Sequence, residues 1–240
     1  MDTVPVNIAD RRREMRSLPL FKPATHAFDV SALAIPAKSF TGDFYYVERC
    51  EEGLWFALGD VAGKGLNASV MMMMIQEELE SAIDEARRGS GDPATAMWRL
   101  DRAMKGILPS NRFATAVIGR IDTNGTLVLA NGGHCPPLLV HGKTVEAIGS
   151  TGPVIGMLDH PQWTSIVRRV DNNDMLVVYT DGVTEASDAA MTEFGTERLT
   201  SLVRSTRGAI ATTRAIACAV ETHAGPERQD DLTVVAITLI

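Results

Sequence analysis

The sequence predicts an α+β fold in which antiparallel sheets are covered by helices. Three observations carry this: short apolar or alternating runs recur between turn residues, a pair of helical segments follows the first strands, and a second pair precedes the last strand. Strands grouped in hairpins and helices grouped in pairs do not make an alternating βαβ chain. No linker, repeat or low-complexity tract divides the sequence, so the organisation expected is a charged leader over residues 1–25 and one domain over 26–240.

The elements follow in order. Arg11, Arg12, Arg13, Glu14 and Arg16, ending at Pro19, form either a solvated leader or a short regulatory or dimerising helix. Val30–Ile35, Asp43–Cys50 and Leu54–Leu58 read as strands separated by turns at Gly42 and Glu52-Gly53. Residues 66–88 lack Gly and Pro and are rich in Met, Leu, Glu and Arg, which favours a helix. Met71 to Met74 are consecutive and would face every side of it, so this helix is expected to be buried. Asp92-Pro93 supplies an N-cap and a proline at N1 for a second helix to about Ile107. Asp122-Thr-Asn124-Gly125 marks a hairpin between Phe113–Ile121 and Thr126–Ala130, since Asn-Gly tolerates positive φ. Strands are expected at Leu138–Val140, Thr164–Val170 and Met175–Tyr179, helices at Gly195–Arg204 and Ile210–His223, and a β-branched terminal strand at Leu232–Ile240.

Composition narrows the function. With 240 residues, 45% hydrophobic and 22% charged, the chain can bury a core without staples. A net charge of -7 argues against a basic surface for nucleic acid or anionic lipid. The longest apolar run, near Val70 to Ile75, is far below the roughly 20 residues of a membrane helix, and no apolar signal segment stands near Asp2 and Asp10. Cys50, Cys135 and Cys218 are odd in number and lack CxxC spacing, which suggests neither zinc nor disulfides. A soluble protein of the reducing cytoplasm is expected.

The chemistry is carried by aspartates at strand ends. Gly42-Asp43 opens one strand, Gly59-Asp60 closes another, Thr180-Asp181-Gly182 closes a third and Asp230-Asp231 opens the last. One such residue is a turn former; four sites together point further. If these ends converge, each carboxylate pair at about 5 Å costs on the order of 3 kcal/mol at an effective dielectric near 20. A cation between them would offset that cost. With no His or Cys cluster alongside, the donors are oxygen only, which suits Mg²⁺ or Mn²⁺ better than zinc.

Five ordered motifs then carry a resemblance: Thr41-Gly-Asp-Phe-Tyr45, Gly59-Asp-Val-Ala-Gly-Lys-Gly65, Asn131-Gly-Gly-His-Cys-Pro-Pro-Leu138, Tyr179-Thr-Asp-Gly-Val-Thr-Glu-Ala186 and Asp230-Asp-Leu-Thr-Val234. From about Phe28 to Ile240 the chain resembles the bacterial SpoIIE/RsbU-type serine phosphatases, a branch of the metal-dependent PP2C-like phosphatases. The resemblance implies an αββα sandwich of two mainly antiparallel sheets flanked by helix pairs, with two Mn²⁺ or Mg²⁺ ions at one edge. Position by position, it makes Asp60 the bridging carboxylate, adds the Val61 carbonyl and Asp43 on one ion, and completes the second with Asp181 and Asp230. Asp60 and Asp181 are thereby the catalytic pair, while Asp231, Lys64 and Gly182 stand beside the ligands as supporting positions. Of the adjacent pair, Asp230 aligns with the ligand and Asp231 is left to orient neighbouring loops.

The implied reaction is hydrolysis of phosphoserine on a regulatory protein, such as a phosphorylated anti-sigma-factor antagonist in a partner-switching pathway, by direct attack of a dimetal-bound water. An upstream regulator would act through the leader, the helices at 66–107 or a separate protein. No Cys-x5-Arg arrangement or Gly-x-Ser-x-Gly elbow offers a protein nucleophile. Two other readings stand beside this one: a non-catalytic module that sequesters a regulator, and a hydrolase of small phosphate esters. Gly59 to Gly65 is not a P-loop, because the glycine spacing is short by one and Gly65 replaces the required Ser or Thr. Where the wider family has a histidine two residues after the bridging aspartate, this chain has Ala62, so protonation of the leaving group has no assigned donor. Thr41 and Tyr46 depart from a common glycine and a common acidic residue without removing a ligand. His134 reads as a hydrogen-bonded structural residue.

Overall fold

The computed structural model describes residues 28–38, 41–63, 66–106, 112–225 and 228–240. The leader over 1–25 and Lys64 lie outside the described residues. Strand β3 (Gly53–Val61) explains how the layers assemble. It is apolar almost throughout because both faces are covered: Trp55, Ala57 and Val61 face one core, and Leu54, Phe56 and Leu58 face another. The terminal strand β10 (Leu232–Leu239) behaves alike, with Val235 and Ile237 on the shared core and Val234 and Ala236 on a third.

Around these two strands the chain builds two five-stranded sheets. The first joins β1 (Phe28–Ile35), β10, β9 (Met175–Tyr179), β6 (Leu138–His141) and β7 (Thr144–Ala147) in that order. The second joins β2 (Asp43–Arg49), β3, β4 (Ala114–Asp122), β5 (Thr126–Gly132) and β8 (Ile166–Arg169). Every strand pairing is antiparallel. Helices α1 (Leu66–Arg88) and α2 (Pro93–Met104) cover the second sheet, placing Ile75, Leu79, Ile83, Met97 and Leu100 on Trp55 and Ile118. Helices α4 (Gly195–Ser205) and α5 (Ala209–Ala224) cover the first, placing Leu199, Val203, Ile216 and Val220 on Val177 and Val234. The result is the expected α+β sandwich of helices, sheet, sheet and helices. No described helix is long and apolar enough to cross a membrane.

Several expectations are corrected locally. Helix α1 is not buried all round: Met71 and Ile75 are buried, but Val70, Met73 and Met74 are exposed, because the helix covers a sheet with one face only. Helix α2 starts as read, with Asp92 Oδ1 accepting from the Ala94 N–H and Pro93 in the first turn, and ends at Met104 rather than near Ile107. Strand β7 and the one-turn helix α3 (Asp181–Thr184) are not among the elements the sequence reading names. The β4–β5 hairpin closes through a three-residue loop in which Gly125 takes φ 83°, and its N–H donates to the Asp122 carbonyl.

Candidate active site

The topology brings the aspartates of separate strand ends to one edge of the sandwich. Asp43, the first residue of β2, lies directly across from Asp60 near the end of β3. Asp181 opens helix α3 immediately after β9, and Asp230 and Asp231 precede β10, whose Val234 pairs with Tyr179. Asp60 is pushed up to about 8, first by burial and then by the charges of Asp43, Asp181, Asp230 and Asp231. Asp43 is pushed up to about 7, chiefly by burial, against the opposing effect of two hydroxyl donors.

Those donors come from the other sheet. Thr180 Oγ1 and Thr233 Oγ1 donate to the same oxygen, Asp43 Oδ2, at 3.0 and 2.5 Å. The two threonines are themselves locked together: the Thr233 N–H donates to Thr180 Oγ1 at 2.9 Å, and the Thr180 N–H to the Thr233 carbonyl at 3.0 Å. Asp231 is equally committed, since Oδ1 accepts from the Ala37 N–H at 2.8 Å and Oδ2 from the Gly42 N–H at 2.9 Å. One carboxylate thus ties both ends of the β1–β2 connection to β10. The Asp231 N–H in turn donates to Asp230 Oδ1 at 3.0 Å.

Two glycines make room for this. A Cβ on Gly182 would lie 1.9 Å from the Asp231 carbonyl oxygen, so only glycine lets α3 approach the β10 lead-in. A Cβ on Gly42 would lie 2.9 Å from Asp60 Oδ1, 3.3 Å from the Val61 carbonyl oxygen and 3.9 Å from that of Gly63. Gly42 therefore keeps open a cradle lined by oxygen. Among the described residues no three His, Cys, Asp or Glu side chains converge tightly enough to hold an ion unaided. A cradle of carboxylate and main-chain oxygens nonetheless fits Mg²⁺ or Mn²⁺, which bind through few protein oxygens and retain water.

Among the described residues, neither Cys135 nor His134 beside the site is poised as a nucleophile. Burial and the charges of Asp181 and Glu185 push the Cys135 thiol up to about 12, which keeps it protonated. His134 is buried, lowered to about 4 mainly by burial, and its Nδ1 lies 2.8 Å from Thr115 Oγ1. Its N–H donates to Asn131 Oδ1 at 2.8 Å, which closes the Asn131-Gly-Gly-His134 turn. The sequence reading missed Thr180 and Thr233 as partners of Asp43, although both sit inside the motifs it singled out. It also missed Arg112, whose Nη1 donates to the Ala62 carbonyl at 2.6 Å from fifty residues away.

The two-sheet sandwich is the fold of solved PP2C phosphatase domains. Residues 51–240 match the family model described as Stage II sporulation protein E (SpoIIE), and the chain belongs to that family. It is 28% identical over 215 residues to Protein IcfG of Synechocystis sp., covering 79% of this chain and 34% of that protein. It is 26% identical over 166 residues to Phosphoserine phosphatase RsbU of Bacillus subtilis, covering 68% of this chain and 48% of that one. The chain thus spans between about a third and a half of the length of these relatives. In fold it resembles the SiaA-PP2C domain of Pseudomonas aeruginosa, with a TM-score of 0.79 at 21% identity over 87% of this chain and 85% of that one.

Proposed function

We propose that the chain is a divalent-metal-dependent protein serine/threonine phosphatase that hydrolyses phosphoserine on a regulatory protein, an anti-sigma-factor antagonist of a partner-switching pathway. The observation that carries this reading is the acidic edge itself: beside burial, carboxylates of three other chain segments raise the Asp60 pKa, next to an oxygen-lined cradle at Gly42. Membership of the SpoIIE family and likeness to a relative named a phosphoserine phosphatase support the reaction class.

In this reading two ions, Mn²⁺ or Mg²⁺, would be held by Asp60 between them, by the Val61 carbonyl and Asp43 on one side and by Asp181 and Asp230 on the other. Such ions would supply a water of lowered pKa and neutralising charge for the phosphoryl oxygens. The chain's own residues prepare that chemistry. Thr180 and Thr233 fix Oδ2 of Asp43, so that Oδ1 is the oxygen it would offer an ion. Asp231 holds the 37–42 connection and so orients Gly42. Gly182 lets the turn that carries Asp181 approach the main chain of Asp230 and Asp231. Three unpaired cysteines, Cys50, Cys135 and Cys218, support a reducing, cytoplasmic setting.

The test is phosphate release from a phosphoserine protein in EDTA, Mg²⁺ or Mn²⁺, beside Asp181→Asn. Release that requires metal and disappears in the variant is expected. Release in EDTA, or undiminished in the variant, would overturn the reading; bound substrate with no release in either metal would favour a sequestering module instead.

A further inference from the structure

Arg112 precedes β4 and belongs to none of the motifs, yet it lies against the turn that follows Asp60. The β3–β4 pairing continues past Val61 and Ala114, for the Ala62 N–H donates to the Phe113 carbonyl at 2.9 Å. That continuation brings Arg112 beside Gly63. Its Nη1 donates to the Ala62 carbonyl, and a Cβ on Gly63 would lie 1.5 Å from Nη1 and 2.6 Å from Cζ. Gly63 adopts φ 121° and has no side chain, so the guanidinium occupies the space that any other residue would fill. The same Gly63 turns its carbonyl oxygen toward the cradle at Gly42 that Asp60 Oδ1 and the Val61 carbonyl line.

The guanidinium thus stands against the turn that follows Asp60 and spends its bond there on a main-chain carbonyl rather than on a carboxylate. A guanidinium has five N–H donors, and here one is spent on Ala62. The remaining fork matches the oxygens of a phosphoryl group, which it can bind bidentately.

We infer that Arg112 binds the phosphoryl group of the substrate at the Ala62–Gly63 turn, supplying positive charge where the motif residues supply only carboxylates. This rests on the phosphatase reading above. The competing role is a brace that merely supports the turn presenting the Val61 carbonyl, and the two differ in what they disturb.

The experiment measures KM and kcat on a phosphoserine peptide, competitive inhibition by inorganic phosphate, Mn²⁺ affinity by calorimetry and thermal stability. It compares wild type with Arg112→Ala, Arg112→Lys and Arg112→Gln. The expected result is a rise of about 10-fold or more in KM and in the phosphate inhibition constant for Ala and Gln, the loss of a charge-assisted hydrogen bond. Lys recovers part of it, and Mn²⁺ affinity and melting temperature stay put in all three. Unchanged phosphate inhibition in Arg112→Ala would overturn the proposal while leaving the phosphatase reading intact. So would Mn²⁺ affinity falling in step with phosphate affinity, which is the signature of a brace. A wild type that releases no phosphate in Mn²⁺ or Mg²⁺ would refute the phosphatase reading and this proposal with it.

Discussion

Two hydroxyls close on one oxygen of Asp43, and they come from the opposite sheet. A carboxylate so held has a single defined orientation, which a surface aspartate lacks. Thr233→Val keeps the shape and removes a hydrogen bond to a buried acid, so it should cost about 1–3 kcal/mol of stability and weaken Mn²⁺ binding. Thr233→Ser should restore both, as chemical denaturation and calorimetry would show. Asp60→Asn acts in the opposite sense on the metal-free protein. It removes the group on which four neighbouring charges act, so the variant should melt higher than wild type in EDTA while losing phosphate release altogether. A lower melting temperature in EDTA would mean that the carboxylates do not strain the edge. At this scale the sequence was legible wherever a residue type was unusual for its place, as aspartate is at the end of an apolar strand. It was silent on Thr180 and Thr233, because threonine is ordinary beside a strand and only the packing of two sheets directs both hydroxyls at Asp43.

Among elements, boundaries were legible where composition changes abruptly. Met175–Tyr179 is fully buried and flanked by polar residues, and the strand forms over the residues expected. Strand β7 alternates polar and apolar residues over only four positions at a sheet edge, too short a run for its periodicity to give a signal. The methionine run of α1 misled for a physical reason: four identical residues conceal which face packs, and the sheet beneath selects Met71 and leaves Met73 outside. The contact between α3 and the β10 lead-in is the tightest element-level constraint on the site. Gly182→Ala would force a Cβ to within 1.9 Å of a main-chain oxygen, so Asp181 and Asp230 must move apart. The variant should lose about 1–3 kcal/mol of stability, the usual cost of overpacking, and bind Mn²⁺ more weakly than wild type. Normal melting and normal affinity in this variant would show that α3 has slack the close approach does not suggest.

For the whole molecule, stability and metal binding should be linked through protons. Asp43 and Asp60 both have folded-state pKa values raised above the ordinary carboxylate value. Between the ordinary aspartate pKa near 4 and about 8, the folded metal-free chain therefore holds more protons than the unfolded chain, and stability falls as pH rises across that window. Unfolding in EDTA at pH 5 and pH 8 should show the loss, and saturating Mn²⁺ should remove it at the upper end. The architecture explains why this burden is tolerated: two cores on either side of each sheet anchor the strands, and the acidic residues gather only where those strands end. The most direct measurement is calorimetric titration of the full chain with Mn²⁺ at pH 7 in two buffers of different ionisation enthalpy, beside Asp60→Asn. The account predicts binding of two ions per chain with net release of protons, abolished in the variant. No binding, or binding unchanged in Asp60→Asn, would contradict it.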